Sequence, residues 1–466
     1  MTRRLRTAAL LLLPGVSWAA DLSGSQLSPF WALPFVGVLL SMALIPLQAP
    51  MFWHHHFGKV TLGWSLTFLV PFALVFGPGM TTGTLLHVAV AEYIPFIVLL
   101  TALYTVAGGI YIRGNLHGSP LLNTMLLAIG AVLASVMGTT GASMLMIRPL
   151  IRANDNRVHR AHVVVFFIFI VANAGGSLTP LGDPPLFLGF LKGVDFFWTV
   201  QHLLPQTAFL LGSLLALFCA IDAWYYRREG VLTVDPTPDT RRVGFDGRVN
   251  FLLLACVVGL VLLSGVWKSP VVFRLQGVDI GLPGLVRDIG LLAVTWVSLR
   301  LTAAQVHEAN QFSWGPMKEV AKLFAGIFLT IVPVIAMLKA GSNGPFSGVV
   351  MAVTRADGTP DPAMYFWASG LLSSFLDNAP TYLVFFNTAG GDPQLLMTTL
   401  ASTLVAISAG SVFMGANTYI GNAPNLMVKA IAEERGVKMP GFFGYMMWSG
   451  AVLIPLFVLM TLIWFR

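Results

Sequence analysis

The chain has 466 residues, of which 56% are hydrophobic and 10% charged. Soluble domains carry about 25% charged residues, so a soluble fold of this size is excluded and the bilayer must solvate much of the apolar surface. The net charge of +7 is read as Lys and Arg held in cytoplasmic loops, where they set topology, rather than as a nucleic-acid surface.

In chain order, residues 1–20 come first. They combine a basic start, a short apolar run and a small-x-small end at Ser17-Trp18-Ala19. This is the grammar of a signal peptide, with cleavage expected near Ala19 or Ala20 and a mature amino terminus outside the cytoplasm. Apolar stretches at 30–48, 60–76, 84–112, 197–222, 250–267, 286–302, 319–338 and 440–465 are long enough, or nearly so, to be spanning helices. The triplet His54-His55-His56 follows the first of these and is read as a turn at headgroup level rather than a metal site. Cys219 and Cys256 lie in apolar runs and are read as packing residues, not as a disulfide or metal ligands.

Three further stretches, 120–150, 161–191 and 363–428, are apolar but interrupted by Gly, Pro, Asn and Asp. Arg113 and the group Arg148, Arg152, Arg157 and Arg160 flank the first of them, and both flanks read as cytoplasmic. The stretch 120–150 should therefore enter and leave on one side. It forms a hairpin with a break at Met137-Gly138-Thr139-Thr140-Gly141 and two arms too short to span singly. The stretch 363–390 has the same form, with its break at Asp377-Asn378-Ala379-Pro380, and orientation carried along the chain puts it on the outer side. Broken helices are expected at 161–191 and 395–428. In hydrocarbon every backbone polar group needs a partner, so such breaks belong at a cavity or inside protein.

The breaks align with one another. Leu133-Ala134-Ser135 matches Leu372-Ser373-Ser374 at an offset of 239 residues, and 176–185 matches 415–424 at the same offset. Two halves with inverted topology, 30–225 and 250–466, joined by a polar cytoplasmic linker at 226–249, account for this pattern. The fold class expected is an all-α polytopic membrane protein of two inverted repeats with re-entrant hairpins and broken helices.

The two halves match in their breaks but differ in charge. Asp377 stands opposite Gly138, and Asp183 opposite Asn422. Ionisable groups inside membrane segments are costly and point to an ion pathway. No Lys or Arg lies between Pro120 and Ile147, between Ala161 and Leu191, or between Asp357 and Val428, so local basic partners are absent. Carboxylates flanked by amides and hydroxyls suit a hard cation or a proton. The candidate ion-binding set is Asp377, Asn378, Asp183 and Asn422, with Ser374, Thr381, Thr139, Thr140, Ser135, Thr179 and Thr418. Asp377 and Asp183 are the candidate sodium ligands. The plainer alternatives are that Asp183 caps the helix after Gly-Asp-Pro-Pro and that Asp377 stitches its hairpin tip. Glu92 is a third deeply placed acid, for which a structural pairing with His87 or another helix is equally open.

At these residues the chain resembles the ion transporter superfamily, and within it NhaD-type sodium/proton antiporters and the neighbouring citrate-transporter branch. The resemblance rests on Ser374-Phe375-Leu376-Asp377-Asn378-Ala379-Pro380-Thr381, on the run from Asn173 through Thr179-Pro180-Leu181-Gly182-Asp183-Pro184-Pro185, and on Gly421-Asn422-Ala423-Pro424-Asn425. It implies hairpins opening to opposite sides, often a homodimer with an elevator motion, and ion binding at the Asp-Asn-x-Pro-Thr tip and the Gly-Asp-Pro break. Dicarboxylate members carry Ser-Asn-Thr at both tips. Here the first reads Gly138-Thr139-Thr140 and the second carries Asp377, which would repel a carboxylate substrate unless a cation lay between.

No G-x-x-x-x-G-K-[ST] loop and no H-E-x-x-H motif occurs in the sequence. The expectation is therefore a secondary transporter in a bacterial-type inner membrane, driven by an ion gradient, with no cofactor. Sodium and protons are its transported or coupling ions. A sodium/proton antiporter leads, a cation-coupled citrate or other organic-anion carrier is the alternative, and an arsenite-efflux membrane component is the third reading. The partners expected are the lipid bilayer and a small ion or molecule.

Overall fold

The computed structural model describes residues 22–114, 116–230, 244–275 and 277–466. The expected signal peptide at 1–20 and residues 231–243 of the expected linker lie outside the described residues. The helices run in chain order as α1 (Leu33–Gln48), α2 (Pro50–His87), α3 (Ile94–Gly108), α4 (Pro120–Met137), α5 (Thr139–Ala153), α6 (Ala161–Ile170), α7 (Pro184–Leu191), α8 (Phe196–Glu229), α9 (Val249–Val266) and α10 (Leu282–Leu301). They continue as α11 (Ala304–Ala309), α12 (Gly315–Thr330), α13 (Val332–Lys339), α14 (Ser347–Ala352), α15 (Pro362–Phe375), α16 (Asn378–Thr388), α17 (Pro393–Met397), α18 (Ala401–Phe413), α19 (Ala423–Glu434) and α20 (Phe442–Trp464). Two short antiparallel ribbons pair β1 (Tyr111–Arg113) with β2 (Gly244–Asp246), and β3 (Val272–Leu275) with β4 (Val278–Gly281).

Among the described residues, seven helical segments are long and apolar enough to cross a membrane, or eight if α12 and α13, bent by 42° at Ile331, form one span. The chain is thus a polytopic all-α membrane protein. The expected spans at 60–76 and 84–112 are one helical run, Pro50–Gly108. It bends where Gly77 adopts φ 85° and ψ 160° ahead of Pro78, and passes through a π-helical segment at Val88–Tyr93. His54, His55 and His56 sit inside α2, not in a turn; the turn lies one step earlier, at Ala49 before Pro50.

The hairpin arms start with cap-and-proline signals. The Ser119 hydroxyl accepts from the Leu122 amide at 3.3 Å before Pro120. The Asp361 carboxylate accepts from the Ala363 amide at 3.0 Å before Pro362. An oxygen at the N-cap and a proline whose missing N–H costs nothing there fix both starts. One expectation fails: α4, at 18 residues, is itself long enough to count as a span, being about 27 Å at 1.5 Å per residue. The other arms are shorter, with 15, 14 and 11 residues in α5, α15 and α16.

The short helices α6 and α18 are buried almost throughout and form the centre around which the rest packs. α15 lies on α18 and α6 on α8. The hairpins interlock across the sequence: α5 packs on α19, and α16 packs on α7. Each second arm thus covers the helix that follows the break in the other half of the chain. At one end of the molecule Arg113 pairs with Asp246 at 2.9 Å, Arg152 donates to Ile112 O at 2.7 Å and Arg160 reaches Gly436 O at 3.4 Å. The basic residues read from sequence as one set of loops therefore converge. Two of them are not loop charges: Arg148 and Arg157 are buried. Arg157 donates to Asp222 at 2.5 Å and to Glu229 at 3.0 Å, and Asp222 also receives His162 at 2.8 Å and Asn123 at 2.9 Å. This network anchors the start of α4 to α8 and the α5–α6 connection.

Candidate functional site

Both hairpin tips meet the two broken helices through the same local chemistry. The Thr179 hydroxyl donates to Ser135 O at 2.5 Å, and the Thr418 hydroxyl donates to Ser374 O. The Leu181 amide donates to the Thr179 hydroxyl at 3.1 Å, and the Ile420 amide to the Thr418 hydroxyl at 3.2 Å. Each pair of positions lies 239 residues apart in the sequence, the separation that also relates Asp183 to Asn422. A side chain on Gly182 would come within 2.2 Å of Gly176 O, and one on Gly421 within 2.6 Å of Gly415 O. Only glycine lets these two turns close.

Asp183 lies where the tips converge. It is 2% exposed and occupies the N-cap position of α7, yet its carboxylate makes no capping bond. The next two residues are prolines, which carry no N–H to cap. The carboxylate turns instead toward three donors from elsewhere. Thr139 Oγ1 donates to Oδ1 at 2.8 Å, Asn422 Nδ2 donates to Oδ1 at 3.3 Å, and Asn378 Nδ2 donates to Oδ2. Thr139 is the first residue of α5 and Asn378 the first of α16, so each hairpin tip supplies one donor from the equivalent position. A buried carboxylate without partners costs several kcal/mol; each charge-assisted bond returns about 1.5–3 kcal/mol. The capping alternative for Asp183 is therefore excluded by the geometry.

Asp377 does cap, accepting from the Ala379 amide at 3.1 Å. It also lines, together with Asp183, Thr139, Thr140 and Asn422, the polar end of a cavity of about 110 Å³. The remaining wall is apolar, including Leu103, Phe187 and Phe324. No Lys, Arg or His lines this cavity among the described residues. Asn378 Oδ1 is buried beside it with no donor. The donor set is oxygen throughout: two carboxylates, hydroxyls and amide carbonyls. Such a set suits a proton or an alkali cation; the thioethers of Met137, Met317 and Met427 belong to the apolar part of the wall.

The sequence of the whole transmembrane region decides the family. Residues 24–465 match the family described as "Putative citrate transport". The chain belongs to this family. An uncharacterized transporter of Mycobacterium tuberculosis is 25% identical over 431 residues, covering 89% of this chain and 88% of the relative. Its counterpart in Mycobacterium bovis matches to the same extent, and a 46 kDa membrane protein of Mycobacterium leprae is 23% identical over 333 residues, covering 69% of this chain and 71% of the relative.

Within this citrate-transport-family protein the other expected site residues divide by position. Thr140 faces the cavity. Ser135 donates to Gly175 O at 2.5 Å, Ser374 to Gly370 O at 2.8 Å and to Met414 O at 3.1 Å, and Thr381 to Asp377 O at 3.0 Å. With Thr179 and Thr418, these hydroxyls bind backbone carbonyls beside the cavity rather than lining it. Glu92 pairs with Lys192 Nζ, so the third deep acid has a basic partner on another element. Two supporting residues were quoted in the motifs but not named among the candidate site residues. Asn173 Nδ2 donates to Asn425 Oδ1 at 2.8 Å, and Asn425 Nδ2 to Gly415 O and Thr418 O at 2.9 Å. They join the two broken helices to each other. Both stand in the motif runs that carry the resemblance, but Val412, at the 239-residue offset from Asn173, gave no symmetric counterpart.

Proposed function

We propose that this protein is a secondary active transporter whose central cavity binds a hard cation, sodium and protons competing for Asp183 and Asp377. The observation that carries this reading is the pair of carboxylates on opposite breaks facing one cavity with no basic residue in its wall among the described residues. Two anionic groups so placed attract a cation and repel an anion. Asn378 Oδ1, buried without a donor, supplies a further oxygen within the same cluster. A carboxylate that holds either a proton or sodium gives exchange by competition, and this supports the reading as a sodium/proton antiporter. The chain in this reading consists of two inverted halves, supported by the matched hydrogen bonds 239 residues apart. The breaks would then open alternately to the two sides, in a bacterial-type inner membrane.

A second reading, cation-coupled transport of citrate or another organic anion, is favoured by the family description. There the same carboxylates hold the coupling cation, and the cation, not the protein, neutralises the substrate. Purified protein in liposomes separates the two. Dissipation of a pH gradient by sodium, and not by potassium, without citrate supports antiport; a strict need for citrate selects the second reading. Loss of neither gradient under any of these conditions would sink both.

A further inference from the structure

We infer that a phosphoryl-binding site lies at the base of the first hairpin, in a cavity that shares no lining residue with the central one. Arg148, in the last turns of α5, is 7% exposed. Its Nη2 donates to Gln311 Oε1 at 2.8 Å. Its Nε and Nη1 are buried and meet no acceptor among the described residues, and the same holds for Nε of Arg152. The remaining nitrogens of Arg152 are used: Nη1 donates to the Tyr111 hydroxyl at 2.6 Å and Nη2 to Ile112 O at 2.7 Å. Arg148, Arg152, Tyr111 and Arg435 line one cavity of about 40 Å³, which exceeds the ~10–15 Å³ that one water-sized group requires.

The charge around this cavity is positive. Asp155 is in its wall, with Arg160 Nη1 at 3.9 Å, and Glu434 lies behind Gln311, accepting from Nε2 at 3.2 Å. Three guanidiniums and one carboxylate thus line the cavity, with Arg160 and Glu434 behind it. A buried cationic donor left without an acceptor is costly, and guanidinium forks match phosphoryl oxygens in geometry and charge. The guanidiniums in its wall come from two elements, α5 and the residue just beyond α19, Arg435. Phosphoryl oxygens there would tie α5 to the end of α19. The group is either free phosphate or the headgroup of an anionic phospholipid.

The test uses the full-length protein, purified in phosphate-free neutral detergent. Its thermal midpoint is followed as phosphate is titrated at fixed sodium and ionic strength, with chloride as the control. Phosphate is expected to raise the midpoint, and loss of one charge-assisted bond in Arg148→Gln to raise the half-saturating concentration about tenfold or more. Arg435→Gln, at an exposed position, should weaken the response without risk to folding. In nanodiscs, stabilisation by phosphatidylglycerol over phosphatidylcholine with no response to phosphate identifies the headgroup as the source. The proposal is overturned if neither phosphate nor phosphatidylglycerol stabilises the protein, or if both variants respond as the wild type does.

Discussion

Asp183 acts as an acceptor for three donors from three elements, and this decides what substitutions there do. Asp183→Asn keeps one acceptor oxygen but replaces the other with an amide that faces Asn378 or Thr139 donor to donor. Transport should fall to background, with a modest loss of thermal stability. Asp183→Ala strands all three donors at about 1–3 kcal/mol each; its thermal midpoint in detergent should fall well below that of Asp183→Asn. Asp377→Asn removes charge from a half-buried cap that still has a carbonyl oxygen for the Ala379 amide, so folding should be retained while exchange is abolished. Undiminished sodium-driven proton movement in that variant would contradict its role. At this scale the sequence was informative where polarity was out of place. Asp183, Asp377, Asn378, Thr139, Thr140 and Asn422 stood out as polar groups at breaks, and the structure brings them to one place. It does not distinguish a hydroxyl that faces a cavity from one that binds a carbonyl, so Ser135, Ser374, Thr179 and Thr418 looked the same as Thr139 until their partners were known. Asn173 and Asn425 meet across 252 residues of chain, a distance no local pattern spans.

Among elements, the hairpin tips are held by backbone geometry. Gly138 adopts φ 82° and ψ 151°, a conformation that costs other residues about 1–3 kcal/mol. Gly138→Ala should lower the thermal midpoint and weaken transport, because the strain falls next to Thr139. The buried network behind the hairpin gives a separate prediction. The Arg157 and Asp222 side chains are both fully buried, and removal of one partner from such a pair costs about 3–5 kcal/mol. Asp222→Asn should therefore be strongly destabilising by thermal denaturation, and Arg157→Met at least as much, because it leaves both Asp222 and Glu229 buried without their cation. The elements themselves were largely legible, since apolar length alone marks a span. The misses were the histidine triplet, expected in a turn and found inside α2, and α4, expected to be too short to span and found to be 18 residues long.

For the whole molecule, the proposal of alternating access has a kinetic signature. Protons and sodium share the same carboxylates, so the apparent KM for sodium should rise as pH falls, with little change in the maximal rate. A KM independent of pH would separate the two ions. Sidedness can be tested in the same way. α9 runs from the end that holds the Arg113–Asp246 pair to the β3–β4 end. In a background with Cys219 and Cys256 replaced, Lys438→Cys should react with an impermeant thiol reagent only from the cytoplasmic side, and Lys268→Cys only from the outer side. Labelling of both from one side would overturn the proposed orientation.

The central claim is that Asp183 and Asp377 form one cation site at which sodium displaces a proton. It is tested most directly by the pH of a weakly buffered solution of the purified protein as sodium is added, with choline as the control. The account predicts proton release that saturates with sodium in the wild type and is lost in both Asp183→Asn and Asp377→Asn. Sodium binding without proton release, or release that persists in both variants, would contradict it.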